Sequence, residues 1–160
     1  MMKRQIFAAV AAMMPLTAFA HDGVSVENAY VRSSNPKTAG AFMVLDNHRE
    51  TACTLVGASS DAAKRVELHT NLETDGVMKM MKVEEGFPVE AQSTRALARG
   101  GDHVMMMGVT QPLSDGDVVN LTLDFGDCGT IEVEAPVDNQ RSPEEAAMPV
   151  EKDDADHSGH

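Results

Sequence analysis

The sequence predicts an all-β domain, a sandwich or a small barrel. Three observations carry that expectation. Short segments rich in Val, Leu, Ile, Thr and Phe recur between clusters of turn-forming residues. Two of those clusters, Asp75-Gly76 and Gly126-Asp127-Cys128-Gly129, have the composition of hairpin turns. No stretch shows the sustained apolar period of a long amphipathic helix.

The elements follow in order. Residues 24–31 form a first strand, and Asn35-Pro36-Lys37 a loop. Residues 41–46 form a second strand, ended by the polar run Asn47-His48-Arg49-Glu50, and His48 is expected to face solvent. Residues 53–57 make a third. Residues 62–64 read as a short helical turn before the strand Val66-Glu67-Leu68-His69. Residues 77–83 leave the Asp75-Gly76 turn as its hairpin partner. Residues 103–107 are another short strand. In residues 118–125, Val119, Leu121, Leu123 and Phe125 share one face while Asn120, Thr122 and Asp124 share the other. Residues 130–137 close the domain. About 117 residues, from 21 to 137, suffice for one sandwich core.

Two flanks stand outside that core. Residues 1–20 read as a secretory leader: Lys3 and Arg4, an apolar run too short for a stable span, then Ala18-Phe19-Ala20 as a cleavage site. Cleavage after Ala20 would start the mature chain at His21, in the periplasm. Residues 138–160 hold seven acidic and two basic residues with almost no large aliphatic side chains, and are expected to be disordered. The domain division is therefore 1–20, 21–137 and 138–160.

Composition excludes several classes. The formal charge is −12, and −14 without Lys3 and Arg4, which argues against nucleic acid and an anionic membrane surface. No later segment is long enough for stable membrane insertion. Two cysteines cannot build a Cys₄ metal site. In an exported chain Cys53 and Cys128 are compatible with either a disulfide or two buried thiols. No nucleophile motif suggests a hydrolase, and the chain is read as a non-enzyme.

Methionine and histidine are the unusual residues. Six methionines fall in two clusters, Val77-Met78-Lys79-Met80-Met81 and His103-Val104-Met105-Met106-Met107. Met usually fills cores, but residues two apart on a strand share a face, so His103 projects with Met105 and Met78 with Met80. A hairpin at Asp75-Gly76 would bring His69 near Met80. Two imidazoles and two thioethers then converge, a soft and neutral donor set that selects Cu(I), and Ag(I), over zinc, calcium or magnesium.

These residues carry a family resemblance. Val66-Glu67-Leu68-His69-Thr70, Gly76-Val77-Met78-Lys79-Met80 and Gly100-Gly101-Asp102-His103-Val104-Met105-Met106-Met107-Gly108 together resemble the PCuAC family of periplasmic copper chaperones. That family's signature is His, ten residues, Met, twenty-one residues, His-x-Met. His69 and Met80 match the first spacing. Twenty-two residues separate Met80 from His103 and twenty-one separate Met81 from it, which leaves Met80 and Met81 as alternative ligands, with Met80 favoured. The resemblance implies a cupredoxin-like fold and a Cu(I) site of His69, Met80, His103 and Met105. It also implies delivery to a cuproenzyme, the CuA centre of cytochrome c oxidase, with a thioredoxin-like copper chaperone as a second partner.

Three further histidines offer secondary metal positions. His21 with a free α-amine would chelate Cu(II). His157 and His160, with Met148, would form a site in the tail. The competing readings are a copper enzyme with an N-terminal histidine brace at His21, and a metal-free β-sandwich interaction domain.

Overall fold

The computed structural model describes residues 23–142. The expected leader, His21, Met148, His157 and His160 lie outside them.

β1 (Val24–Asn35) and β2 (Thr38–Asn47) form a long antiparallel hairpin. The Asn35 carboxamide oxygen accepts from the amides of Lys37 and Thr38 at 2.9 and 3.1 Å, which closes the turn. β1 runs four residues further than the sequence suggests because β2 keeps pairing with it. A register shift between Glu27 and Tyr30, with Asn28 at φ 53°, sets which face Tyr30 and Arg32 take.

β3 (Cys53–Leu55) and β4 (Gly57–Ser59) are short. β5 (Ala63–Thr74) begins where a helical turn was expected at 62–64. The correction has a tertiary cause: Ala63 and Arg65 pair with Val109 and Met107, and that ladder overrides the helical preference of Ala62-Ala63-Lys64. β6 (Val77–Lys82) returns from β5 through Asp75 and Gly76, at φ 52° and 76°.

β7 (Phe87–Val89) and β8 (Ser93–Leu97) carried no strand signal. Pro88 argues against a strand, but β7 lies in a two-stranded sheet with β3, an edge position where proline is tolerated. β8 is polar and forms because residues 43–47 of β2 offer it an edge. β9 (His103–Val109) pairs with β2 on one side and β5 on the other. β10 (Val118–Asp124) and β11 (Thr130–Pro136) are the expected hairpin, joined by a 3₁₀ turn at Gly126–Cys128.

The main sheet has the order β1-β2-β9-β5-β6, with β8 also on β2. A second sheet, β11-β10-β4, meets it across the core. Val31, Leu45, Val104 and Met106 from the first and Leu121, Leu123 and Ala135 from the second are fully or almost fully buried. The result is an all-β, cupredoxin-like sandwich. Asn47 is buried and satisfied: its amide donates to the carbonyls of Thr51, Val89 and Glu90, and its oxygen accepts from the Arg49 amide.

Cys53 and Cys128 form a disulfide, with Cα atoms 6.0 Å apart. It ties β3 to the turn after β10. Of the tail expected to be disordered from Asp138 onward, residues 138–141 hold to the sandwich. The Asp138 amide donates to the Val31 carbonyl at 2.9 Å, the Ser33 amide donates to the Asn139 side chain at 2.8 Å, and Arg141 stacks on Tyr30. Residues 143–160 lie outside the described residues.

Candidate metal centre

The outward face of the main sheet gathers the candidate ligands. Directly opposed residues in an antiparallel ladder share a face, as do residues two apart on a strand. His69 on β5 lies opposite His103 on β9, with ring centroids 5.9 Å apart in an edge-on arrangement. Met105 follows His103 on the same face. Across the other edge of β5, Asn71 lies opposite Met80. Asn71 follows His69 on one face, so Met80 stands diagonally from His69. Met81 pairs with Thr70 and points to the other face. The ladder thus places Met80, not Met81, beside the histidines.

Met80, His103 and Met105 line one shallow cavity of about 140 Å³, with Asn71, Gly40 and Phe42. His69 is not a wall of that cavity; its ring lies edge-on to that of His103. His103 is 4% exposed, whereas Met80 is 51% exposed. The remaining methionines divide: Met43 and Met106 are core, Met78 is exposed on the edge strand, and the Met107 sulfur accepts from Arg65 at 3.3 Å. His48 is exposed and bonded to Ser25, as its polar surroundings suggest.

Hydrogen bonds fix which nitrogen each ring offers. The Nε2 of His69 lies 2.8 Å from a Glu67 carboxylate oxygen, so Nε2 carries the proton. Its Nδ1 is buried and has no hydrogen-bond partner. The Nδ1 of His103 lies 2.9 Å from the Gly101 carbonyl, so that nitrogen donates and Nε2 keeps the lone pair. Each ring therefore has one nitrogen anchored and one lone pair available.

The residues that orient the rings were not identified from the sequence, although the spacing could have shown one of them. Glu67 lies two residues before His69, a spacing that puts both on one strand face. Its other oxygen meets Arg65 at 3.2 Å and Lys82 at 3.7 Å. The bond to His69, then Lys82 and Arg65, hold the Glu67 carboxyl below its usual range, against the opposing effect of burial. Burial, with His69 nearby, pushes His103 below the ordinary imidazole value; the Gly101 carbonyl and Asp102 oppose it. Both shifts favour a neutral His103 and a charged Glu67 near neutral pH. The turn that presents the Gly101 carbonyl is clamped by Arg95, whose guanidinium meets Asp102 at 2.6 Å and the Pro88 carbonyl at 2.9 Å. Gly40 gives the Phe42 ring its place, since a Cβ there would come within 2.9 Å of that ring.

The donor set fits a soft monovalent ion. Among the described residues no three His, Cys, Asp or Glu side chains gather as a metal site, and both cysteines are held in the disulfide, so the sulfur donors on this face are thioethers. A buried imidazole nitrogen without a hydrogen-bond partner, on the sheet face that carries the Met80 and Met105 thioethers, suits Cu(I) or Ag(I).

Comparison with known proteins bears on the family and the fold. The family model LpqE-like, a lipoprotein description, matches residues 24–137. The lipoprotein-like Lxx21020 of Leifsonia xyli is 37% identical over 116 residues, covering 72% of this chain and 70% of its own. RP573 of Rickettsia prowazekii is 30% identical over 86 residues, 54% of this chain and 48% of its own length. The Cu(I)-loaded solution structure of DR1885 from Deinococcus radiodurans superposes with a TM-score of 0.57 at 30% identity, over 75% of this chain and 83% of that one. The copper-bound PCuAC domain from PmoF2 has a TM-score of 0.61 over 75% of this chain and 96% of that one; at 20% identity it speaks for the fold.

Proposed function

The chain belongs to the LpqE-like family, of PCuAC type, and from that membership we propose that it is a copper chaperone rather than an enzyme. In this reading it carries Cu(I) in the periplasm on His69, Met80, His103 and Met105. The observation that carries it is the buried, unpartnered Nδ1 of His69, beside His103 and fixed in its tautomer by Glu67. A nitrogen left without a partner in the protein is costly unless a ligand supplies one.

The protein's own groups do three things. Glu67 and the Gly101 carbonyl hold the two rings so that lone pairs rather than N–H groups face the ion. Burial keeps His103 neutral, so little proton has to be displaced on binding. Met80, half-exposed on an edge strand, supplies a neutral sulfur that an incoming partner can displace, which suits a carrier that must release its cargo.

Cu(I) would pass to the CuA centre of cytochrome c oxidase, with a thioredoxin-like copper chaperone as a further partner. The leader over 1–20 and the Cys53–Cys128 bond support export to an oxidising compartment. His21, His157 and His160 would take Cu(II) as secondary sites. The test is Cu(I) titration against a competing chromophoric chelator. The His69→Ala/Met105→Ala double variant is expected to lose high-affinity binding; wild-type affinity in that variant rejects the assignment.

A further inference from the structure

Strand β6 ends the main sheet, and among the described residues nothing pairs with its outer side. The opposite end of the sheet is covered: on β1 the Val31 carbonyl accepts from the Asp138 amide and the Ser33 amide donates to the Asn139 side chain. All six residues of β6 are exposed, and Val77, Met78, Met80 and Met81 each keep at least half of their surface open.

The ladder shows which backbone groups are unused. The Val83 amide donates to the Leu68 carbonyl at 2.8 Å. In an antiparallel pair, hydrogen-bonded and non-hydrogen-bonded couples alternate. Thr70 with Met81, Leu72 with Lys79 and Thr74 with Val77 are therefore the bonded couples of β5 and β6. The N–H and C=O groups of Met78, Met80 and Lys82 point away from β5, into solvent. A straight edge of this kind is a template for another strand. No register shift interrupts the β5–β6 pairing and β6 holds no proline, so its two lysines are its only guard.

Those lysines also decide what fits. Lys79 is exposed and has no carboxylate within ion-pair distance among the described residues. Lys82 makes only long pairs, 3.7 Å to Glu67 and 3.9 Å to Glu84, from a half-exposed side chain. The whole chain has a formal charge of −12, so a cationic edge departs from its surroundings. A second copy would bring the same two lysines to the edge and the same negative charge behind them, and is disfavoured on both counts.

We propose that β6 is a docking edge for a partner protein that adds an extended segment antiparallel to it. That segment carries carboxylates three residues apart, opposite Lys79 and Lys82, and apolar residues opposite Met80 and Met81. Main-chain bonds to Met78, Met80 and Lys82 supply affinity, and the side chains supply the choice of partner. Lys82 shares a face with Met80, and Lys79 shares the other with Met81, so the two carboxylates straddle the strand. The edge belongs to the copper-free chain; that it sets the partner beside the thioether which carries the ion rests on the copper reading above.

The test is ¹H–¹⁵N NMR titration of the copper-free full chain with the peptide acetyl-Glu-Val-Thr-Glu-Val-Thr-amide. In the antiparallel register its first, third and fifth residues face Lys82, Met80 and Met78. Saturable shifts are expected at those three amides, with a dissociation constant on the order of millimolar. Methylating the backbone nitrogen of the third peptide residue is expected to abolish binding, and methylating that of the fourth to spare it, because only the third aims its N–H at β6. Replacing both glutamates by glutamine should weaken binding about fivefold, and Lys79→Gln about twofold. No saturable shift, equal binding of the two methylated peptides, full affinity of the glutamine peptide, or shifts centred on another edge overturns the proposal. So do β6 shifts that follow protein concentration without peptide, which mean that a second copy occupies the edge. Outward amides of β6 already protected from exchange in the dilute free chain overturn it too, since residues 143–160 would then cover the edge. No copper is present, so loss of Cu(I) binding in the chelator titration and loss of peptide binding are separate results.

Discussion

Glu67→Gln tests the part of the centre that the structure defines most sharply. The change keeps the side chain's size and removes its charge. The bond from His69 Nε2 is 2.8 Å long, and the two side chains are 12% and 17% exposed, so water screens it little. The Arg65 and Lys82 pairs to the same carboxylate involve side chains 66% and 50% exposed and contribute little. Losing a carboxylate that orients a metal-binding imidazole typically lowers metal affinity about 10–100-fold. The Gln amide can accept from Nε2 through its oxygen or donate to it through its nitrogen, so part of the orienting bond survives and the smaller half of that range applies: roughly ten- to thirtyfold, or about 1.4–2 kcal/mol. Cu(I) competition with a chromophoric chelator reads the loss. Long-range ¹H–¹⁵N correlation of the metal-free chain reads the cause: His69 protonated on Nε2 in the wild type, and a mixture of tautomers in Glu67→Gln. Affinity within twofold of wild type, or a wild-type His69 protonated on Nδ1, would refute the reasoning.

Other outcomes follow from the same geometry. Met80→Leu should weaken Cu(I) binding at least about tenfold while Met81→Leu leaves it nearly unchanged, because only Met80 shares the histidine face; the chelator titration compares them directly. Replacing both cysteines by Ala opens a loop closed across a sequence separation of 75. The chain-entropy estimate for such a loop is about 4.5 kcal/mol, to be read as a lowered urea midpoint, and an unchanged midpoint would contradict it. His103 titrates below its ordinary value because it is buried. Between that depressed value and the unfolded pKa of about 6.5, the unfolded chain holds more protons. Metal-free stability should therefore be full above that range and fall as the pH drops through it, and His103→Asn should remove this component from the pH dependence of unfolding. Glu67 adds a separate loss at lower pH, as the pH falls below its unfolded value.

Much of this protein was readable before any coordinates. Strand alternation, the Asp75-Gly76 turn and the 126–129 turn depend on neighbours in sequence, and they marked the hairpins correctly. The pairing of His103 with Met105 follows from the two-residue period of a strand. The Glu67 bond to His69 was not anticipated, although the same period puts both on one face. β7 and β8 were invisible because their formation depends on edges offered by β3 and β2 rather than on their own propensities. The helical turn expected at 62–64 failed for the same reason, since β9 supplied a ladder that local preference does not know about.

By itself, then, the amino-acid order determined the all-β class, the hairpin positions and which donor atoms are available for a soft metal, because those depend on periodicity and on composition. The tertiary structure decided the rest. It set the register that puts Met80 rather than Met81 on the histidine face, the bond between Cys53 and Cys128, the unpartnered nitrogen on His69, and the stacking of Arg141 on Tyr30. Each of these is a relation between strands distant in sequence, and only the closing of the sheets brings such partners within a few ångströms.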